Sequence, residues 1–446
     1  MKKRMMALIM LGAMLFGTLA FSGCEKQEDP KDTKKGTESQ SEMASDSMSE
    51  SQSQKATKKP ASPHDVKGYV NKKFIKPVWE GDVSYAEAAF VRQNSKGVVE
   101  PIRLLYPIDE IVSVRDSKLE KVYKEGRDYK ITEDGKLEII EGGNIPVLSY
   151  SDYFFELSTA EHTQNDHATK FPAANRPGWG YIRAEQTSST NPGMSKWTLA
   201  VTYMHSGDSG ITAPEGKSEK FTRVIEKINN GENIKIASLG DSITYGWSSS
   251  ANAKMAPYCP SYTNIVVDYI NLNFDIKSEN TNLAVSGQSA GWALQPQDNG
   301  ETPSPVQQLC DEKADLIFLA FGMNDGCGTP TETYIANINT ILSQIATQSP
   351  DSCVVVVATM LPNQLLTWNI GGDTWLQYHD EYAPALKEAE KTWTNAAFAD
   401  VTTVHTQMLR RKAYQDTTGS NTNHPNDYMH RVYAQVIVKT IFGEIK

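Results

Sequence analysis

The residues best able to do chemistry are a serine, a histidine and several amide donors in the second half of the chain. Ser242 lies in Gly240-Asp241-Ser242-Ile243-Thr244, directly after the short apolar run 234–239. A serine at the carboxyl end of a parallel strand sits where open α/β sheets place their ligands. The amides of the following turn favour negative charge beside its hydroxyl. Such a serine becomes a nucleophile only with a base to take its proton and donors to hold an oxyanion.

Three further segments offer those groups, each at a predicted strand end or in the loop after it. In Leu283-Ala284-Val285-Ser286-Gly287-Gln288-Ser289, Gly287 lets a backbone N–H approach a substrate closely. In Phe321-Gly322-Met323-Asn324-Asp325, Asn324 carries a side-chain amide just past an apolar strand. In Asn423-His424-Pro425-Asn426-Asp427, Pro425 holds His424 extended, and Asn426 or Asp427 can cap the helix that follows. Each segment alone also fits an ordinary turn or cap.

The elements that must position these residues alternate regularly. Apolar strands are expected at 234–239, 281–285, 316–321, 354–360 and 397–402. Helices are expected at 261–272, 306–313, 331–347, 379–393 and 427–442, after a first one near Phe221, Val224, Ile225 and Ile228 that stops at Asn229-Asn230-Gly231. Five apolar strands separated by helices imply a parallel sheet covered on both faces.

Taken in order, Gly240-Asp241-Ser242, Gly287, Gly322-Met323-Asn324-Asp325 and His424-Pro425 resemble the GDSL, or SGNH, hydrolase superfamily. The resemblance covers roughly 233–446. It implies an α/β, flavodoxin-like three-layer domain with a five-stranded parallel sheet. It also implies Ser242 as nucleophile, His424 as general base, and an oxyanion hole from the Ser242 and Gly287 N–H groups and the Asn324 side chain. One departure stands out. The family's usual aspartate three residues before the histidine is replaced here by Asn421. Three consequences are open: a backbone carbonyl orients His424, Asp416 or another acid reaches in, or the enzyme is weak or inactive. Asn421 itself is a possible orienter. With a base of ordinary pKa, activity is expected to rise with a midpoint near about 6.5.

Residues 65–215 read differently. Short strand-type runs at 83–91, 102–106, 111–115 and 197–204, with a hairpin around Asp134-Gly135, predict an all-β, jelly-roll-like sandwich. The domain order is therefore 65–215 β, then 216–446 hydrolase. This order is similar to certain carbohydrate esterases that remove acetyl groups from plant polysaccharides. Trp247 and Trp292 near the rim, and Trp368, Trp375 and Tyr378 in a later loop, fit either sugar stacking or packing.

Residues 1–24 read as a lipoprotein signal peptide. A basic start and an apolar stretch precede Phe21-Ser22-Gly23-Cys24, which resembles a lipobox and implies a lipid on Cys24. Residues 25–64, rich in Ser, Glu and Lys and lacking aromatics, read as a disordered tether. Both place the folded part outside the cytoplasm at a bacterial cell surface, with the membrane contacted only through that lipid. A net charge of −10 argues against a nucleic-acid partner. The cysteines show no zinc-like spacing. The reading is a serine esterase acting on an acylated carbohydrate, with no metal or organic cofactor. Two other readings are a lipid or lysophospholipid acylhydrolase and a carbohydrate-binding protein whose esterase site has weakened.

Overall fold

The computed structural model describes residues 75–155, 169–172, 181–365 and 377–445. The signal segment with Cys24, the tether, Trp368 and Trp375 lie outside the described residues. The described residues fall in one compact unit.

Strands β10 (Lys235–Gly240), β11 (Glu279–Asn282), β12 (Leu316–Ala320), β13 (Cys353–Val357) and β14 (Ala396–Ala399) form a parallel sheet in the order β11-β10-β12-β13-β14. All four pairings are parallel. The interior strands read as continuous apolar runs because both faces are covered, as the burial of every residue of β12 and β13 shows. Alternate residues enter two separate cores. Ile236, Phe318, Val355 and Ala397 face the helices Thr222–Asn229, Tyr262–Phe274 and Asp427–Phe442. Ala237, Leu319, Val356 and Phe398 face the helices Pro305–Asp311, Thr331–Gln348 and His379–Ala389.

Strand order reverses at β10, whose neighbours are the next two strands of the chain. Ligands of such sheets bind at the carboxyl ends beside this reversal, which is where Ser242 follows β10.

The antiparallel strands come first in the chain. β1 (Val83–Phe90), β9 (Thr198–Met204), β2 (Glu110–Asp116) and β3 (Val122–Tyr123) form one sheet in the order β1-β9-β2-β3. β4 (Tyr129–Ile131) and β5 (Leu137–Ile139) form the hairpin expected around Asp134-Gly135. β6 (Phe154–Phe155), β8 (Tyr181–Ala184) and β7 (Thr169–Pro172) form a third sheet.

One hydrophobic core runs through both regions, joining Val114, Val201 and Tyr203 to Tyr428, Tyr433 and Val436. Polar bonds cross as well. The Arg431 guanidinium donates to the carbonyl of Ala86 at 2.6 Å, and the Phe90 N–H donates to Asp416 Oδ1 at 2.7 Å.

Three sequence-based expectations give way. The strand expected at 281–285 lies earlier, at Glu279–Asn282, a polar edge strand. Residues 102–106 are not a strand beyond one bridge between Ile102 and Leu137. Their N–H groups are met by buried side chains: Leu105 donates to Glu87 Oε1 and Tyr106 to the Tyr203 hydroxyl. The last strand ends at Ala399, because Asp400 caps a helix, Val401–Met408, by accepting from the Thr403 N–H.

Candidate active site

Ser242 opens a single helical turn, Ser242–Tyr245, separated from β10 by Asp241 alone. Three features make the turn sharp. Gly240 is needed because a Cβ there would collide with the Ala320 carbonyl oxygen and Thr244. Asp241 caps the turn, its Oδ1 accepting from the Ile243 N–H at 2.9 Å. Gly246 closes it in the left-handed conformation, with φ of 101°. Burial raises the Asp241 carboxyl to about 7, with the nearby Asp325 adding to the effect.

His424 reaches this turn from a loop fixed at both ends. Its carbonyl accepts from Thr418 Oγ1 at 2.8 Å and from the Gly419 N–H at 3.0 Å. Asn426 then caps the last helix by accepting from the Met429 N–H. The outcome is direct: His424 Nε2 lies 2.9 Å from Ser242 Oγ. Burial, and then the neighbouring His430, push the imidazole down to about 3. His430 is itself pinned, with Nδ1 accepting from the Tyr262 N–H and Nε2 facing the Trp247 carbonyl.

The second and third segments are tied to the first and to each other. Val285 N–H donates to the Gly240 carbonyl, and Asn282 Nδ2 donates to the Thr244 carbonyl. Gly287 is exposed with φ of 79°, a conformation that favours glycine. Asn324 Nδ2 donates to the Gln288 carbonyl at 2.8 Å, which fixes the amide and leaves its second N–H to face elsewhere. The buried carboxylate of Asp325 accepts from the Ala290 N–H with both oxygens. Burial raises that carboxyl to about 6.

The far side of the His424 ring differs from the sequence expectation. Asn421 does not orient it. Asn421 is fully buried in the left-handed region, with φ of 61°. Its Nδ2 donates to the Arg183 carbonyl at 2.6 Å, and its Oδ1 accepts from Asn363 and Gln415. That amide is used in pinning the loop to β8. Asp416 is elsewhere too, accepting from the N–H groups of Phe90 and Ala413. Among the described residues, no carboxylate hydrogen-bonds the ring. The group facing His424 Nδ1 is the side-chain amide of Gln186, 2.5 Å away, just after β8. The other end of that amide faces Ser248 Oγ, also at 2.5 Å. No motif in the sequence singles out Gln186.

Trp247 lies partly exposed next to the pair, its ring 6.3 Å from that of His424 and its Nε1 donating to Ser286 Oγ. Tyr245 is 48% exposed on the same turn. Trp292 packs against the core and donates to Gln297, and Tyr378 packs against the same core.

A serine at the end of β10, paired with a histidine before the last helix and flanked by the Gly287 and Asn324 segments, brings all four motifs to one rim. Residues 238–432 match the GDSL-like Lipase/Acylhydrolase family. The matched segment makes this part of the chain similar to GDSL-like hydrolases. No curated protein matches the chain. Among solved structures, the chain is similar to a two-domain esterase (CEX) active on acetylated mannans, co-crystallised with mannopentaose. The identity is 19% and the TM-score 0.37, over 51% of this chain and 55% of that one. The chain therefore spans about half the length of that esterase. It is also similar to a catalytic mutant of Axe2, an acetylxylan esterase from Geobacillus stearothermophilus, at 17% identity and TM-score 0.35, over 48% of this chain and 95% of that one. A third is the psychrotrophic esterase EstA from Pseudoalteromonas sp., inhibited by monoethylphosphonate, at 16% identity and TM-score 0.33, over 47% and 97%. The GDSL segment holds Ser242, Gly287, Asn324 and His424, whereas Gln186 precedes it.

Proposed function

We propose that the chain is a serine ester hydrolase that removes short acyl groups, acetyl foremost, from carbohydrate. The observation that carries the reading is the 2.9 Å approach of Ser242 Oγ to His424 Nε2. Ser242 attacks the ester carbonyl while His424 takes its proton. The N–H groups of Ser242 and Gly287 and the free N–H of the Asn324 amide hold the oxyanion. His424 then protonates the leaving hydroxyl, and water releases the acyl group by the reverse path. A low pKa keeps the imidazole neutral, which is the form a base needs.

The exposed ring of Tyr245 and the partly exposed ring of Trp247 beside the pair suit the apolar face of a sugar. A second reading, hydrolysis of longer acyl esters such as lysophospholipids, is favoured by one feature. An apolar cleft lined by Ala86, Leu119, Ala200, Met255 and Pro257 also has Ser248 on its wall. The lipobox-like segment supports attachment to a membrane by a lipid on Cys24, which metabolic labelling with a fatty acid would reveal.

Hydrolysis of a chromogenic acetate ester by the wild type and by Ser242→Ala tests the central reading. Turnover is expected in the first and not the second. Serine-independent turnover overturns it, and no turnover overturns it in favour of a carbohydrate-binding role. Acetate against octanoate esters, then acetylated xylan or mannan against lysophospholipid, separates the two substrate classes.

A further inference from the structure

We infer that Gln186, supplied by the antiparallel β region, is the residue that positions His424 and sets its tautomer, with Ser248 fixing the Gln186 amide. This inference builds on the proposed role of His424 as base.

The argument begins with protons. Gln186 is placed with its Nε2 toward His424 Nδ1 and its Oε1 toward Ser248 Oγ. Oxygen and nitrogen occupy nearly the same space, so two orientations satisfy these heavy-atom positions. In the first, the amide NH2 donates to Nδ1 and the Ser248 hydroxyl donates to the amide oxygen. The ring proton then sits on Nε2 and points at Ser242, so His424 has no lone pair for the serine proton. In the second, the ring donates Nδ1–H to the amide oxygen, and the NH2 donates to Ser248 Oγ. The Nε2 lone pair then faces the Ser242 hydroxyl at 2.9 Å.

Only the second orientation gives a base, and only it survives the reaction. When Nε2 takes the serine proton, both ring nitrogens carry hydrogen. An NH2 facing Nδ1–H would then oppose donor to donor, whereas an amide oxygen still accepts. The Ser248 hydroxyl can donate or accept and so tolerates either orientation. It is held for the purpose, being buried with φ of 64° and packed so closely that a Cβ on Gly419 would collide with its side chain.

An amide in this place orients the ring without a formal charge. The other titratable groups near the ring are otherwise engaged. His430 faces the Trp247 carbonyl, and Asp427 Oδ1 accepts from the Ser250 N–H. A carboxylate at position 186 would therefore be a new charge beside Nδ1 and would favour the imidazolium.

The experiment compares full-length wild type, Gln186→Met, Gln186→Glu and Ser248→Ala on a chromogenic acetate ester across pH. Gln186→Met is expected to lower kcat by about 10²-fold or more with KM little changed. Gln186→Glu is expected to restore turnover and move the acid limb of the profile to higher pH. Ser248→Ala is expected to lower kcat less than Gln186→Met. Wild-type kcat in Gln186→Met, or an unmoved acid limb in Gln186→Glu, overturns the inference. If Gln186→Met does not fold, Ser248→Ala decides, and an unchanged kcat there overturns it. Nitrogen NMR of the His424 ring gives a readout that does not need activity. The wild type is expected to carry its proton on Nδ1, and a proton on Nε2 overturns the inference. A wild type with no esterase activity but a proton on Nδ1 would refute the proposed function and leave the positioning role standing.

Discussion

The ammonium of Lys412 lies 2.6 Å from Glu87 Oε1, and both side chains are completely buried. The pair joins the stretch leading to the His424 loop to the middle of β1. Its remaining polar atoms are satisfied. Lys412 also donates to the Ala88 carbonyl, while Glu87 accepts from the Leu105 N–H and the Tyr203 hydroxyl. Asp416 Oδ2 lies 3.7 Å from the same ammonium, so Lys412 faces two buried carboxylates. Removing Lys412 alone leaves both uncompensated, at a cost of about 3–5 kcal/mol, whereas neutralising Glu87 as well leaves only Asp416. Lys412→Met is therefore expected to lower the urea midpoint strongly, and Glu87→Gln with Lys412→Met to recover part of the loss. Equal midpoints for the single and double variants would refute the coupling.

The pH profile is expected to be flat where physiological measurements are made. Sequence reasoning gives a midpoint near about 6.5 for an unperturbed histidine. Burial lowers His424 to about 3 instead, so the neutral, proton-accepting form persists as pH falls. Activity should be constant from pH 8 down to 5 and decline only in more acidic solution. A titration of kcat/KM centred near neutrality would show that the ring is more solvated, or closer to a carboxylate, than its surroundings indicate.

Asn324→Ala removes one proposed oxyanion donor and the tie to Gln288. A fall in kcat of about 10²–10³-fold is expected, with a small effect on KM. Steady-state kinetics decide it: a change confined to KM would make Asn324 a substrate-binding group only.

Gly240 and Gly287 should respond differently to alanine. At Gly240 a Cβ meets the Ala320 carbonyl oxygen within the sheet, and the cost is about 1–3 kcal/mol, measurable as a lowered denaturation midpoint. At Gly287 a Cβ meets open space, so the cost is only that of the left-handed backbone, about 1–2 kcal/mol. If Gly287→Ala leaves folding nearly intact yet reduces kcat, the position of its N–H matters to the reaction.

Four strands of the sheet were legible because they are written as short apolar runs; the edge strand Glu279–Asn282 was displaced from its expected place because its residues are polar. The final helix was readable to its exact bounds, Asp427–Phe442, from its cap and its periodicity. Helix Val401–Met408 was not, since Val401, Thr402, Thr403 and Val404 are β-branched and read as strand; the Asp400 cap decides otherwise. The contents of the rim were readable because each motif follows a strand. The partner of His424 was not, because Gln186 is 238 positions away and reaches the ring through packing between two regions. Asn421 occupied the familiar place in the sequence, but its left-handed backbone directs its amide to β8.

The Gln186 contact bears on how such a chain could be recombined. The hydrolase region, 216–446, is the unit that would be grafted onto another accessory module, yet Gln186 precedes it. A chimera cut at that boundary would inherit the serine, the histidine and the oxyanion donors with an unpartnered imidazole nitrogen. Exchange of the accessory module would then be neutral only where the incoming module brings its own acceptor to that nitrogen. Replacement of the accessory module of this chain is thereby constrained at a single atom.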